Sequence, residues 1–258
     1  MPASAASALA RAKERGHRLF ICTGRSAPEV YPRFFDLGFE GIVGGAGGYA
    51  AVGSTVLLDE RMPADHVQAL TRMWEELDAF YVWQGPDQMG PSRGYLDFFV
   101  PRAGENPQDW VEYGESVTPF VVDIEGGSFT KVTAYVRPEN ASMERISAAL
   151  PDGYRAIIGS VGAAGYVPFE VLPTRLSKAV GIEAVCEYLG IPLSRSVAIG
   201  DSNNDVEAVA RAGVGISIGD GCEALVEVAD IVAPAVGDDG FAWALAAAGL
   251  IDEAPNPA

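Results

Sequence analysis

Between residues 178 and 233 short apolar runs alternate with segments of good helix formers, and that rhythm narrows the possible folds more than any other property of the chain. Lys178–Leu189 is predicted as a helix, Ser196–Ile199 as a strand, Val206–Ala212 as a helix, Gly213–Ile218 as a strand, Glu223–Val228 as a helix and Ile231–Val232 as a strand. Strands joined by crossover helices lie parallel. A parallel sheet is covered on both faces, which suits short runs that are mostly apolar. The opening of the chain has the same character. Ala3–Arg15 is rich in helix formers and stops at Gly16; Arg18–Cys22 and Gly41–Val43 are buried-strand candidates; Glu29–Leu37 is predicted as a helix despite Pro32. Gly44–Gly48 is a turn feeding a strand pair, Tyr49–Val52 and Thr55–Leu58.

The middle of the chain departs from this rhythm. After a helix over Pro63–Leu77, with Val67, Leu70, Trp74 and Leu77 on one stripe, aromatic and β-branched residues gather in short runs. Phe80–Trp83, Tyr95–Val100, Phe120–Ile124 and Lys131–Val136 are predicted as strands, Ala141–Leu150 as a helix and Tyr166–Leu172 as an apolar return. Strands without regular intervening helices imply an antiparallel sheet with one helical face, inserted into the α/β portion. The expected division is a core of residues 1–61 and 166–258 around an insert of residues 62–165. The tail Ala254–Ala258, with two prolines, is expected to fray.

The segment Val197-Ala-Ile-Gly-Asp-Ser-Asn-Asn-Asp-Val-Glu-Ala-Val209 carries the clearest chemistry. A strand ends at Gly200-Asp201, a polar loop follows, and Asp205 lies near the first turn of the next helix. Ligands of α/β proteins sit at this carboxyl edge, and two carboxylates there suit magnesium, which takes one or two of them plus waters and a phosphate. One such residue would be an ordinary helix cap; Asp201, Asn203, Asn204 and Asp205 together exceed what a cap needs. Cys22-Thr23-Gly24-Arg25-Ser26 also leaves a strand, offering a hydroxyl and an unhindered amide to a phosphoryl oxygen, although Thr-Gly is common turn chemistry. Lys178 opens a helix, against the helix dipole, which hints at a nearby anion; alone, a solvated lysine is the better reading.

Taken in this order, strand-CTGR, Lys178 and strand-GDSNND resemble the haloacid dehalogenase superfamily of phosphohydrolases. The insert and the run Gly45–Tyr49 are similar to the Cof-like subfamily (type IIB), as are Ala212–Gly219, Ala229–Val232 and Asp238-Asp239-Gly240. The resemblance runs from near Ala3 to Leu245, specific in the two core segments and general in the insert. It implies an α/β fold: a Rossmann-like parallel-sheet core carrying an α+β cap. It also implies a magnesium-dependent phosphatase of small phosphorylated metabolites, sugar phosphates above all. Thr23 and Gly24 would hold the phosphoryl group, Lys178 would neutralise developing charge and steady the nucleophile, Asn204 would touch the phosphate, Asp201 would ligate the metal and Asp205 would help hold its shell.

One part of the family pattern has no counterpart. Members carry a first strand ending in Asp-x-Asp-Gly-Thr, whose first Asp attacks phosphorus and whose second protonates the leaving oxygen. Met1 falls where the family's first helix is about to start, so the first strand is missing and no nucleophile is assigned. Pro119–Gly127 imitates the motif with Asp123 and Glu125, but it lies inside the insert and is expected to be a cap strand and its turn. Either the working protein has an upstream strand, the reading favoured, or this is a non-catalytic phosphosugar-binding pseudoenzyme. A phosphomutase would need the same aspartates.

Charge excludes other classes. With 18 Lys+Arg against 35 Asp+Glu the chain carries −17, which would repel a nucleic-acid backbone or an anionic membrane. No apolar run approaches the roughly 18–20 residues that span a bilayer. Cys22, Cys186 and Cys222 are too scattered for a disulfide framework or a zinc site, and with no signal peptide the protein is expected to be cytoplasmic. Gly44–Gly48 lacks the spacing of a dinucleotide-binding loop. His17 and His66 are expected at the surface, Trp74, Trp83, Trp110 and Trp243 in the core, Arg25 in a structural salt bridge, and Tyr81, Trp83, Tyr95 and Phe98 as possible pocket lining. Oligomeric state has no sequence signal.

Overall fold

The computed structural model describes residues 1–103, 110–219 and 221–252. The chain divides into two compact units. The core unit comprises Met1–Gly24, Pro32–Leu58 and Ser177–Ala258; the cap unit comprises Arg25–Tyr31 and Asp59–Leu176. The boundary expected after residue 165 thus falls after Leu176, because Val167–Pro173 pairs within the cap sheet. The expected fraying of Ala254–Ala258 lies outside the described residues.

In the core unit, helix α1 (Ala3–Glu14) buries Ala5, Ala8, Leu9 and Ala12, a stripe at helical spacing. Strand β1 (Phe20–Cys22) pairs in parallel with β2 (Gly41–Gly44). A tight turn over Gly45–Gly47 returns the chain to β3 (Tyr49–Val52), antiparallel to β2, and β4 (Thr55–Asp59) completes a four-stranded sheet in the order β1-β2-β3-β4. Helix α6 (Lys178–Leu189) spans the predicted residues and ends at Gly190 in the left-handed conformation. Then β10 (Val197–Gly200), β11 (Val214–Ile218) and β12 (Ile231–Ala233) form a separate three-stranded parallel sheet, connected by α7 (Val206–Arg211) and α8 (Glu223–Val228). Helix α9 (Gly240–Ala247) closes the unit, its Ala242 and Leu245 packed with Ala8 and Ala12 of α1. The expected helix over Glu29–Leu37 is instead two 3-10 turns, Ala27–Glu29 and Pro32–Leu37; proline has no N–H for a continuous helix.

The cap unit is built on an antiparallel sheet ordered β6-β5-β7-β9-β8. Its strands are β5 (Phe80–Gln84), β6 (Met89–Pro91), β7 (Lys131–Val136), β8 (Tyr154–Ile158) and β9 (Val167–Pro173). One face packs Trp83, Val132, Ala134, Phe169 and Val171 against α2 (Ala64–Glu76), which contributes Val67, Leu70 and Trp74, and α5 (Met143–Ala149), which contributes Ile146. On the other, Val82 and Tyr135 meet α3 (Tyr95–Phe99) and α4 (Val111–Val117). Tyr95–Val100, expected as a strand, is therefore mainly helix α3: Tyr95, Phe98 and Phe99 stand three and four apart and bury together. Phe120–Ile124 is also not a strand. A 3-10 turn over Thr118–Phe120 leads to one bridge between Val121 and Met89, and Phe120, Val121 and Val122 stay exposed. Trp74 and Trp83 are buried, whereas Trp243 is 41% exposed.

Candidate active site

The polar loop after β10 and the first residue of α6 meet in the core unit. Lys178, nearly fully buried, donates from Nζ to Asn204 Oδ1 at 2.7 Å and to Asp205 Oδ1 at 2.6 Å. The other oxygen of Asp205 accepts from the Asp201 amide at 3.3 Å and from the Ser202 amide and hydroxyl, both at 3.2 Å. Ser202 Oγ also reaches Asn204 Oδ1 at 3.0 Å. A buried lysine and carboxylate tolerate removal from water only when paired and hydrogen-bonded, and both conditions hold. The loop is consequently folded around Asp205, and β10 must pass close to it: a Cβ on Gly200 would lie 2.3 Å from that of Asp205.

Thr23 and Gly24 leave β1 beside this cluster. The Thr23 amide donates to Val43 O at 2.8 Å, continuing the β1–β2 ladder, and a Cβ on Gly24 would come within 3.2 Å of Asn204 Nδ2. The structure thus gathers Thr23, Gly24, Lys178, Asn204 and Asp205 around one strand edge, with Asp201 on the same loop. Lys178 is held from behind by the glycine turn. At Gly47, φ is +96° and a Cβ would fall 1.8 Å from Ser177 O, so only glycine lets the turn lie against the start of α6.

The residues present suit a magnesium ion held by few protein ligands. The Asp201 carboxylate is exposed and makes no hydrogen bond among the described residues. Asp205 spends both oxygens on Lys178 and the loop, so it braces the loop that presents Asp201. No group of three or more His, Cys, Asp or Glu side chains that could hold a metal occurs among the described residues.

Residues 1–245 match a family profile described as haloacid dehalogenase-like hydrolase. The chain belongs to the haloacid dehalogenase-like hydrolases. Among its relatives, YkrA, a candidate phosphatase of Bacillus subtilis strain 168, is 25% identical over 97% of this chain and 92% of its own length. A B. subtilis phosphatase of 5-amino-6-(5-phospho-D-ribitylamino)uracil, YitU, is 34% identical over 80 residues, covering 31% of this chain and 30% of YitU. A solved hypothetical protein of Geobacillus kaustophilus superposes with a TM-score of 0.76 at 26% identity, covering 97% of this chain and 93% of that one. A subclass IIB sugar phosphatase of the superfamily shares the fold with a TM-score of 0.76 at 20% identity, over 97% and 93% of the two chains.

The cap unit of this haloacid dehalogenase-like hydrolase holds a polar cluster that the sequence reading missed. Glu29, buried, accepts from the Ser26 amide and hydroxyl at 2.8 Å each, from Gln84 Nε2 at 2.7 Å and from Tyr113 OH at 3.1 Å. Gln84 in turn accepts from Thr133 Oγ1 at 2.8 Å. Next to Gln84 on the sheet, Lys131 pairs with Glu170 at 2.5 Å, both buried. The Ser26-x-x-Glu29 spacing is that of a capping box, the one signal that could have singled out Glu29. Arg25 donates to Glu29 O at 3.2 Å and lies over Trp110. Tyr81 and Trp83 join one cap cluster, Tyr95 and Phe98 the other, so these aromatics do not share a lining. His66 is half-buried and its Nδ1 lies 2.9 Å from Tyr154 OH.

Proposed function

We propose that this chain is the phosphatase body of a magnesium-dependent enzyme acting on small phosphorylated metabolites, sugar phosphates foremost. Its nucleophile is supplied by a segment outside these 258 residues. The observation that carries the reading is the shared grip of Lys178 on Asn204 and Asp205 beside the Thr23–Gly24 turn. Phosphoryl transfer is catalysed mostly by positioning and charge stabilisation, and these groups provide both. Thr23 and Gly24 receive phosphoryl oxygens; the Lys178 ammonium, fixed by two acceptors, offsets negative charge as it builds; Asn204 orients the phosphate. Asp201 holds the metal, with Asp205 fixing its loop. Magnesium, when bound there, neutralises phosphoryl oxygens and so lowers the cost of bringing an anion to attack. The phosphosugar class is supported by the names of the sugar phosphatase of like fold and of YitU. The charge and the lack, among the described residues, of a helix fit to cross a membrane are consistent with work in the cytoplasm.

The test is release of inorganic phosphate from a panel of sugar phosphates with magnesium, comparing the 258-residue chain with the form extended upstream in its own reading frame. Release by the extended form alone, abolished by chelation and by D201N or K178A, is the expected result. Turnover by the shorter chain would overturn the account of the nucleophile. Saturable binding of phosphosugars without turnover by either form would make the protein a binder instead.

A further inference from the structure

The chain passes from the core unit to the cap unit between Gly24 and Arg25, and the two sides of that junction are held by different means. Upstream, both backbone groups of Thr23 are taken: its amide donates to Val43 O at 2.8 Å and its carbonyl accepts from the Ala46 amide at 3.3 Å. Downstream, one residue holds both members of the next pair. The Glu29 carbonyl accepts from Arg25 Nη1 at 3.2 Å, and its carboxylate accepts from the Ser26 amide and hydroxyl at 2.8 Å each. Glu29 is fixed in turn by the cap, through Gln84 Nε2 of β5 and Tyr113 OH of α4, and α4 also donates from Ser116 Oγ to Pro28 O at 3.1 Å. A cap for a three-residue turn needs no such support. Burying a carboxylate is costly unless donors surround it, and here two of them come from outside the turn. Between the two anchors, the Gly24 amide donates to no group among the described residues.

We propose that Glu29 is a positioning residue, which sets the tilt of the Gly24 amide by tying the two residues after it to the cap. The peptide plane that carries this amide is pinned at one end by the long Ala46 bond to Thr23 O. Its other end, the Gly24 Cα, is pinned from downstream through Arg25, Ser26 and Glu29. Glycine brings no side chain to restrict the backbone, so these two anchors alone decide where the N–H points. A hydrogen bond weakens steeply as its angle closes, and a donor that receives an anion works best when aimed before the anion arrives. That the received group is a phosphoryl oxygen rests on the function proposed above; the aiming of the amide by Glu29 does not.

The probe is inorganic phosphate with magnesium, titrated into the intact 258-residue chain while the Thr23 and Gly24 amide resonances are followed by NMR. E29A should displace the Gly24 resonance before any phosphate is added, and should weaken phosphate binding about tenfold, the worth of one hydrogen bond to an anion. E29Q is the rescue. Its amide oxygen still accepts from Ser26, and its amide nitrogen donates to the Tyr113 hydroxyl, which can accept as well as donate. The Gly24 resonance should then stay in place and the affinity within about twofold of the parent. I146A, which opens a cavity in the cluster on the other face of the cap sheet, lowers the melting temperature without touching this network and should change neither readout. If E29A does not fold, S26A gives the same comparison at smaller amplitude, since it drops the hydroxyl link and keeps the amide one. A Gly24 resonance unmoved by the loss of its anchor, equal effects of E29A and I146A, or E29Q as damaging as E29A would overturn the proposal. A Gly24 resonance that E29A displaces, in a chain whose Thr23 and Gly24 never respond to phosphate, removes the phosphoryl reading and leaves the positioning role standing.

Discussion

Replacing Gly47 by alanine tests whether the glycine turn sets the position of Lys178. Two costs add. Holding alanine at φ +96° is backbone strain of about 1–3 kcal/mol. The new Cβ would also lie 1.8 Å from Ser177 O and 2.3 Å from Ser177 C. Those are main-chain atoms at the head of α6, so relief requires moving a peptide group and not rotating a side chain. Overpacking of that kind costs about 1–3 kcal/mol more. A total of about 2–6 kcal/mol is expected, with the Lys178 contacts to Asn204 and Asp205 disturbed in any molecules that stay folded. Gly53 is the control. Its φ is +55° and a Cβ there meets nothing within 4 Å, so G53A should cost only about 1–2 kcal/mol. Urea unfolding followed by circular dichroism measures both. If G47A loses no more stability than G53A, the turn does not brace Lys178 and the reasoning fails.

Other outcomes follow from the cap unit and the tyrosines. E29A strands buried donors on Ser26, Gln84 and Tyr113, so a loss of about 3–5 kcal/mol is expected; a melting temperature unchanged from the parent would contradict the network. K131M or E170L alone leaves a buried charge unpaired and should cost about 3–5 kcal/mol, whereas the double replacement should recover most of it, measured as a double-mutant cycle. Burial pushes Tyr95, Tyr113 and Tyr135 up, and burial together with Glu75 pushes Tyr81 up to about 12. A folded pKa above the unfolded one, about 10, means stability is intact below that pH and lost as pH rises towards 12 and beyond. Phenolate absorbance of Tyr95, Tyr113 and Tyr135 should therefore appear only with unfolding, and titration of all nine tyrosines in the folded state near pH 10 would refute their burial.

Elements whose apolar pattern and end signals agree are the legible ones. Lys178–Leu189 begins at a residue fixed by site contacts and stops at Gly190, and both ends were predicted. The strand-loop-helix around Asp201 was legible because its polar run exceeds a cap's needs. Tyr95–Phe99 misled because aromatics favour strands on average, while their three-and-four spacing decides the helix once a sheet face is available to bury it. Phe120–Val122 misled because an apolar run predicts a strand only if another strand offers it a ladder, and here one hydrogen bond from the Val122 amide to Met89 O is the backbone link. Lys131 was invisible, and Glu29 showed only its capping-box spacing to Ser26, for a different reason: a buried charge has meaning only with its partners, and Gln84, Tyr113 and Glu170 come from segments far away in the chain.

Arg25–Tyr31 belongs with the cap although it directly follows the Thr23–Gly24 turn. The cap is therefore not a single cassette. A chimera made by exchanging residues 59–176 alone would leave the recipient's Gln84 and Tyr113 equivalents without their carboxylate and orphan Glu29 in the donor. Swapping the cap between relatives, in the laboratory or by recombination, requires carrying a seven-residue stretch from the other side of three core strands, so such exchanges should succeed in pairs of segments or not at all.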